Sequence, residues 1–199
     1  MRGSRIPKEE LESLYYDKKL SMQEIATYLG CSLHKVAYWM DQYGFERRNW
    51  SEATYVQRNP DGDPFRIRMP ETPSEWALFG VGIGLYMGEG TKTGWAVSIA
   101  NTNPGIHRAF ISFLEQICGV CKAHLRADLN IYDDCDIRAT ILWWSEQLGL
   151  QQEQFCEPYV QAAKGGSYTR KSMYGTLTVR FGNFKLKKII EDWCSEFYK

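Results

Sequence analysis

The sequence predicts an α+β chain in two parts, a small N-terminal helical bundle followed by a larger domain of helices and strands. Three observations carry this. Residues 8–44 hold three short stretches of apolar residues at helical spacing, with Gly30 between the last two. Residues 77–90, A-L-F-G-V-G-I-G-L-Y-M-G-E-G, form an apolar helical segment that ends on one carboxylate, Glu89. Residues 174–181 alternate, with Leu177, Val179 and Phe181 on one face and Tyr174, Thr176, Thr178 and Arg180 on the other, as a half-buried strand does. With 199 residues, 44% of them apolar, the chain can build one large core or two small ones.

At the N-terminus, Leu11, Leu14 and Tyr15 follow Pro7 at helical spacing, which predicts a helix over 8–18. Ser21 and Glu24 make a capping box that opens a second helix, with Ile25, Ala26 and Leu29 inside and Gly30 as its stop. Ser32 caps a third helix bearing Val36, Met40 and Tyr43, which ends at Gly44. The run S-M-Q-E-I-A-T-Y-L-G-C-S-L-H-K-V-A-Y-W-M resembles the helix-turn-helix of bacterial transcription factors and site-specific DNA enzymes. In that motif the third helix enters the major groove. Val36 and Met40 then point inward, leaving His34, Lys35, Tyr38 and Gln42 for base edges, with Arg47 and Arg48 suited to phosphates. The alternative is a protein-interaction module. Residues 1–48 are expected to be this domain, and residues 49–75, with their four prolines and a P-D-G-D-P cluster, a linker or draped arm. Within it F-R-I-R-M (65–69) alternates like a short strand, either an exposed edge or a pair of arginines that could follow a phosphate backbone.

Residues 76–199 form the second expected domain. A strand over 95–101 places Val97 and Ile99 together, and a helix opening at Asn103-Pro104 carries Ile106, Phe110, Phe113, Leu114 and Ile117 as its apolar stripe. A strand over 121–132 has Ala123, Leu125, Leu129 and Ile131 inward, and Lys122, His124, Arg126, Asp128 and Asn130 on a polar face that suits either a DNA groove or solvent. An acidic helix over 133–148 directs Ile137, Ile141, Trp144 and Leu148 inward; Trp143 and Trp144 fit core packing better than base stacking. A strand interrupted by Pro158, a basic loop over 164–172 and a closing helix over 184–197 with Leu186, Ile189, Ile190 and Trp193 complete the chain.

The glycine-rich segment calls for its own physical account. An interior glycine costs roughly 1 kcal/mol relative to alanine in a helix, and four occur here. Gly80, Gly84 and Gly88 fall at i, i+4 and i+8, so one face lacks every Cβ and admits a second backbone at close range. The apolar run is shorter than the roughly 20 residues a bilayer span requires, so pairing with another helix in water is the better reading. Glu89 sits where the helix dipole is negative and disfavours an acid. If two copies pair along the glycine row, their Glu89 side chains lie close together and are hard to ionise without a metal between them. The alternative is a surface glutamate in a helix-ending turn.

Net charge is zero, with 24 basic and 24 acidic residues, but the distribution is polarised. Residues 158–190 carry seven cations (Lys164, Arg170, Lys171, Arg180, Lys185, Lys187, Lys188) and no acid, whereas 127–157 carry seven acids against Arg138 alone. A local positive field matters more for phosphate binding than the sum does. Six scattered cysteines suit a reducing compartment. Cys118, Cys121 and His124 form C-x-x-C-x-x-H without a convincing second pair, which favours buried thiols over structural zinc. No secretory pattern and no long apolar stretch occur, so a cytoplasmic protein without a membrane partner is expected.

The segment G-I-G-L-Y-M-G-E-G, with E-G-T-K, S-I-A-N-T-N-P, residues 143–149 and Y-G-T-L-T-V-R, resembles the LAGLIDADG homing endonuclease family, in a bacterial single-motif form with an N-terminal helix-turn-helix. The resemblance covers most of 76–199 and implies an αββαββα domain with a saddle-shaped antiparallel sheet lying in the major groove. It further implies a homodimer with Gly80, Gly84 and Gly88 at its seam, acting on double-stranded DNA. Glu89 and the Gly88 carbonyl take the metal-ligand positions for Mg²⁺ or Mn²⁺. The family's accessory catalytic groups have no clear counterpart; Lys92, Lys164 and Arg180 are the candidates beside Glu89. Lys122, His124, Arg126, Lys164, Arg170, Lys171, Tyr174, Thr176, Thr178 and Arg180 become candidate DNA contacts. The activity implied is metal-dependent, site-specific phosphodiester hydrolysis. A non-cleaving, sequence-specific transcriptional regulator on the same fold is the alternative.

Overall fold

The computed structural model describes residues 5–162 and 172–197. The chain divides into two compact units, residues 1–63 and 64–199. The segment expected to be a linker is thus shared between them, and most of it is structured.

In the first unit, helix α1 (Lys8–Glu12) continues into a π-helical turn over Ser13–Asp17. Helix α2 (Met22–Tyr28) opens with the expected capping box, both of its bonds being formed between Ser21 and Glu24. Gly30, at φ +61°, turns the chain into α3 (Leu33–Gln42), and Gly44, at φ +68°, ends it. Ile6, Leu11, Leu14, Tyr15, Ile25, Ala26, Val36 and Met40 form the core. Helix α4 (Trp50–Arg58), with a second capping box between Asn49 and Glu52, stands where the linker was expected.

The second unit is mixed α+β. Phe65 is buried in its core, and the Arg66 and Arg68 amides donate to the Cys118 and Ile117 carbonyls. The F-R-I-R-M segment forms no strand of the sheet; two backbone bonds hold it against the residues that follow α6. Helix α5 (Pro73–Glu89) starts before the apolar run, because Thr72 and Glu75 form a capping box and Pro73 occupies the first turn. It is followed by β1 (Val97–Asn101), α6 (Pro104–Gln116), β2 (Arg126–Tyr132), α7 (Ile137–Leu148), β3 (Tyr159–Gln161), β4 (Thr176–Phe181) and α8 (Phe184–Glu196). The sheet order is β1-β4-β2-β3. β4 pairs antiparallel with β1 and β2, but β3 runs parallel to β2, so the sheet is mixed rather than the expected antiparallel one. The parallel pair follows from α7, a crossover that returns the chain in the direction of β2.

One face of the sheet joins the helices in a core that includes Ile83, Tyr86, Phe110, Phe113, Leu125, Trp144, Leu177, Val179 and Ile190. The opposite face of β2 and β4 carries polar residues in register: Arg126 opposite Arg180, Asp128 opposite Thr178, Asn130 opposite Thr176. Two inward expectations fail. Residues 122–124 form a 3-10 turn that leaves Ala123 exposed, and Ile137, in the first turn of α7, is 40% exposed. Among the described residues no helix is long and apolar enough to cross a membrane.

His107 of α6 is fully buried, edge-on to Trp144, with Nε2 3.1 Å from the Asn101 carbonyl and Nδ1 lacking a hydrogen-bond partner. Burial pushes its pKa below the ordinary histidine value despite that carbonyl bond. A depressed folded pKa means that the neutral ring's contribution is complete above about pH 6.5 and is lost as pH falls through the folded pKa. Denaturant stability of the chain should therefore decline below about pH 6.5, by at most about 1.4 kcal/mol per pH unit from this group. His107→Phe should flatten that slope; an unchanged slope would refute the assignment.

Candidate nucleic-acid interface and the end of helix α5

Helix α5 shows two glycine environments. A Cβ on Gly82 would lie 2.1 Å from the Phe113 ring, so α6 packs against α5 at a distance that only glycine permits. Gly80, Gly84 and Gly88 are exposed, and a Cβ on any of them would meet nothing within 4 Å. The expected Cβ-free row is real, and it faces away from the unit's own core. Val81 at 47% and Trp76 at 51% exposure extend it as an apolar surface.

The helix ends at Glu89, which is exposed. Gly90 caps it in an extended conformation, φ −74°, rather than the left-handed one usual for a terminating glycine. Close approach is what requires glycine there, since a Cβ would sit 2.3 Å from the Tyr86 carbonyl oxygen. Gly90 bridges to Ile99, and the Thr91 amide donates to the Ser98 carbonyl, so the chain leaving Glu89 is held on the edge strand β1.

Two ammonium groups support this helix end. Lys92 donates to the Tyr86 carbonyl and lies 4.2 Å from the centre of the Tyr86 ring. It thus acts as a cap on the helix end, three residues beyond Glu89. Lys187 of α8 is 4% exposed and donates to the Thr91 carbonyl (3.3 Å), the Lys92 carbonyl (3.2 Å), the Tyr86 hydroxyl (3.2 Å) and the Glu191 carboxylate. Burial alone would lower its pKa, but Glu191 and the Tyr86 hydroxyl hold it above the ordinary lysine value. By sequence Lys187 is one of the seven cations of residues 158–190. Its spacing four residues before Glu191 was the available signal for a pair, but nothing in the pattern showed that both meet the α5 terminus.

On the polar sheet face, Arg180 is committed to Asp128 through Nε (2.5 Å) and Nη2 (3.3 Å), with Cys156 Sγ 3.4 Å away. Arg126 stands opposite Arg180, an unfavourable like-charge pair that Asp128 offsets, and its guanidinium donates to the Ala123 and Leu125 carbonyls. Thr176 and Thr178 lie on this face as expected. Tyr174 does not: it precedes β4 and stacks on Trp143 at 3.8 Å, with its carbonyl accepting from Trp144 Nε1. Lys122 and His124 belong to the 3-10 turn rather than to β2. Lys164, Arg170 and Lys171 lie outside the described residues. Cys118 is buried, its thiol pushed far up by burial, while Cys121 is exposed; among the described residues no group of three metal-ligating side chains occurs.

In the helix-turn-helix, His34, Tyr38 and Gln42 are exposed along α3, with Lys35 half-buried. Arg47 pairs with Asp41 at 2.6 Å. Arg48 corrects the expectation of a phosphate contact: its guanidinium donates to the Tyr15, Lys19 and Leu20 carbonyls and lies over the Tyr15 ring, tying the bundle together.

Two substitutions separate these roles. Gly82→Ala should destabilise the fold by about 1–3 kcal/mol through overpacking, whereas Gly84→Ala should stabilise a single chain by about 0.5–1 kcal/mol. Chemical denaturation checks both, and equal effects would refute the two-faced helix. Lys187→Met, which strips a buried donor from four acceptors, should cost about 1–3 kcal/mol. A variant as stable as the parent would show that the network contributes nothing. Comparison with protein families, with curated proteins and with solved structures finds no match for this chain.

Proposed function

We propose that the chain is a homodimeric, metal-dependent, site-specific endonuclease of double-stranded DNA, as the LAGLIDADG resemblance implies. The observation that carries this reading is the exposed row Gly80, Gly84 and Gly88 leading to an exposed Glu89. Three glycines on a helix face that meets nothing cost roughly 1 kcal/mol each without return in a single chain, and close backbone approach by a second copy supplies the reason for them.

Pairing along this row brings two Glu89 carboxylates toward the twofold axis. One chain offers a single carboxylate here, with the Gly88 carbonyl in the last turn of the helix, where its i+4 partner, Lys92, lies beyond the helix end. Those donors are hard oxygens of the kind Mg²⁺ or Mn²⁺ takes, and the set fits such an ion when two copies contribute. Bound there, the ion would activate water and stabilise the leaving oxygen of a phosphodiester. The chain's own residues do the rest. The Lys187 and Lys92 contacts hold the segment from Tyr86 to Lys92 in place, Thr176 and Thr178 present hydroxyls to a duplex, and His34, Tyr38 and Gln42 read bases from α3.

One observation favours the alternative, a non-cleaving DNA-binding regulator. Lys92 and Lys187 already bring positive charge to the α5 terminus, so the field that opposes Glu89 is offset without a metal.

Incubation with a plasmid library in Mg²⁺ or Mn²⁺ decides between them. The parent chain should cut, and Glu89→Gln should bind equally well but cut at least about a hundredfold more slowly. Tight binding with no cut in either metal selects the regulator. Gly84→Leu should halve the solution mass; an unchanged mass contradicts the helix seam.

A further inference from the structure

We propose that the N-terminal unit binds a small organic anion with an apolar body in the cleft between α4 and the helix-turn-helix. The cleft holds about 530 Å³, within the range of small-molecule sites. Helix α4 lines it with Trp50, Ala53, Thr54 and Gln57, spaced i, i+3, i+4 and i+7 and so on one helix face. Leu20, Ser21 and Met22, at the start of α2, line it from the other side.

Helix α4 has nine residues, and none of its described side chains is buried. So short a helix is marginal in water without tertiary packing. Its Trp50 is 85% exposed at the cleft. On the bundle side Lys19, a lining residue, ends the first helix in the left-handed conformation, φ +58°, and the Leu20 amide closes back on the Leu14 carbonyl at 3.0 Å. The Lys19 carbonyl accepts from Arg48 at 3.0 Å, which holds that conformation.

The lining chemistry selects the occupant. Lys18, Lys19, Arg47 and Arg48 border the cleft against one acid, Glu24, whose carboxylate already accepts from the Ser21 amide at 2.7 Å. Lys18, Lys19 and the half-exposed Arg47 favour an anion, Arg48 being committed to the bundle's own carbonyls. Leu20, Met22, Val56 and Pro60 favour an apolar body, which inorganic phosphate lacks. Arg47 also links the cleft to α3, since it pairs with Asp41 and reaches the Ala37 carbonyl at 3.4 Å. An anion that draws Arg47 away competes with Asp41 and so alters the helix that carries His34, Tyr38 and Gln42. Only this coupling rests on the DNA-binding reading; binding itself does not.

The test is calorimetric titration of the full chain with 1-naphthoate, its uncharged analogue naphthalen-1-ylmethanol and the cation 1-naphthylmethylamine. Naphthoate should bind at one site, the alcohol about tenfold more weakly and the amine not at all. Ala53→Trp, which fills the cleft from an exposed position, should abolish binding. Lys19→Gly, which keeps the left-handed backbone while removing a cation, should weaken it severalfold in a chain at least as stable as the parent. No binding at millimolar concentration, equal affinity for all three probes, or full binding by Ala53→Trp overturns the proposal. Displacement of naphthoate by equimolar inorganic phosphate also overturns it and assigns the cleft to phosphates alone. Naphthoate binding by a chain that binds no DNA leaves the cleft standing and removes the helix-turn-helix reading alone.

Discussion

The ring of Phe113 fills the space that a Cβ on Gly82 would need, and the second unit is arranged around this close approach of α6 to α5. Because α5 is pressed onto its neighbour along the Gly82 and Ile83 side, its other glycine row turns outward. The same helix therefore serves as a core element on one face and as an apolar, Cβ-free surface on the other. A helix apolar all round is ordinarily buried all round. Here the burial stops halfway, and that incompleteness is the best physical argument for a second copy.

The C-terminal end of α5 shows how the fold manages opposing charges. Glu89 lies where the helix dipole disfavours an acid, while Lys92 and the buried Lys187 place ammonium groups on the carbonyls around it. Such a terminus holds the backbone on either side of Glu89 in place and tolerates its charge. It serves catalysis if a second Glu89 and a metal complete it, and serves only structure if they do not. The enzyme and regulator proposals thus share one geometry and part at the chemistry of the proposed dimer axis.

Basic residues carry unequal work in this chain. Arg48 and Arg180 belong to the fold, the first on three backbone carbonyls and the second on Asp128. Lys187 is interior. The polarised run that suggested a broad positive surface is therefore thinner than its count of cations, and the proposed recognition of DNA rests more on α3 and on the hydroxyl-bearing sheet face. Arg47 differs, since it joins α3 to the cleft through an exposed ion pair that solvent weakens and a ligand could displace.

Sequence periodicity and capping chemistry determined where the helices and strands lie. Ser21 with Glu24, Gly30 and Gly44 act within a few residues of themselves, so their effects were legible directly. The alternation in β4 and the glycine spacing in α5 were legible for the same reason. Only the tertiary structure decided that β3 runs parallel to β2 and that α4 stands in the supposed linker. It also decided that Tyr174 stacks on Trp143, and that Lys187 reaches residues nearly a hundred positions away. These depend on which distant groups satisfy a buried charge or an unpaired carbonyl, and such partners are chosen by packing, not by spacing along the chain.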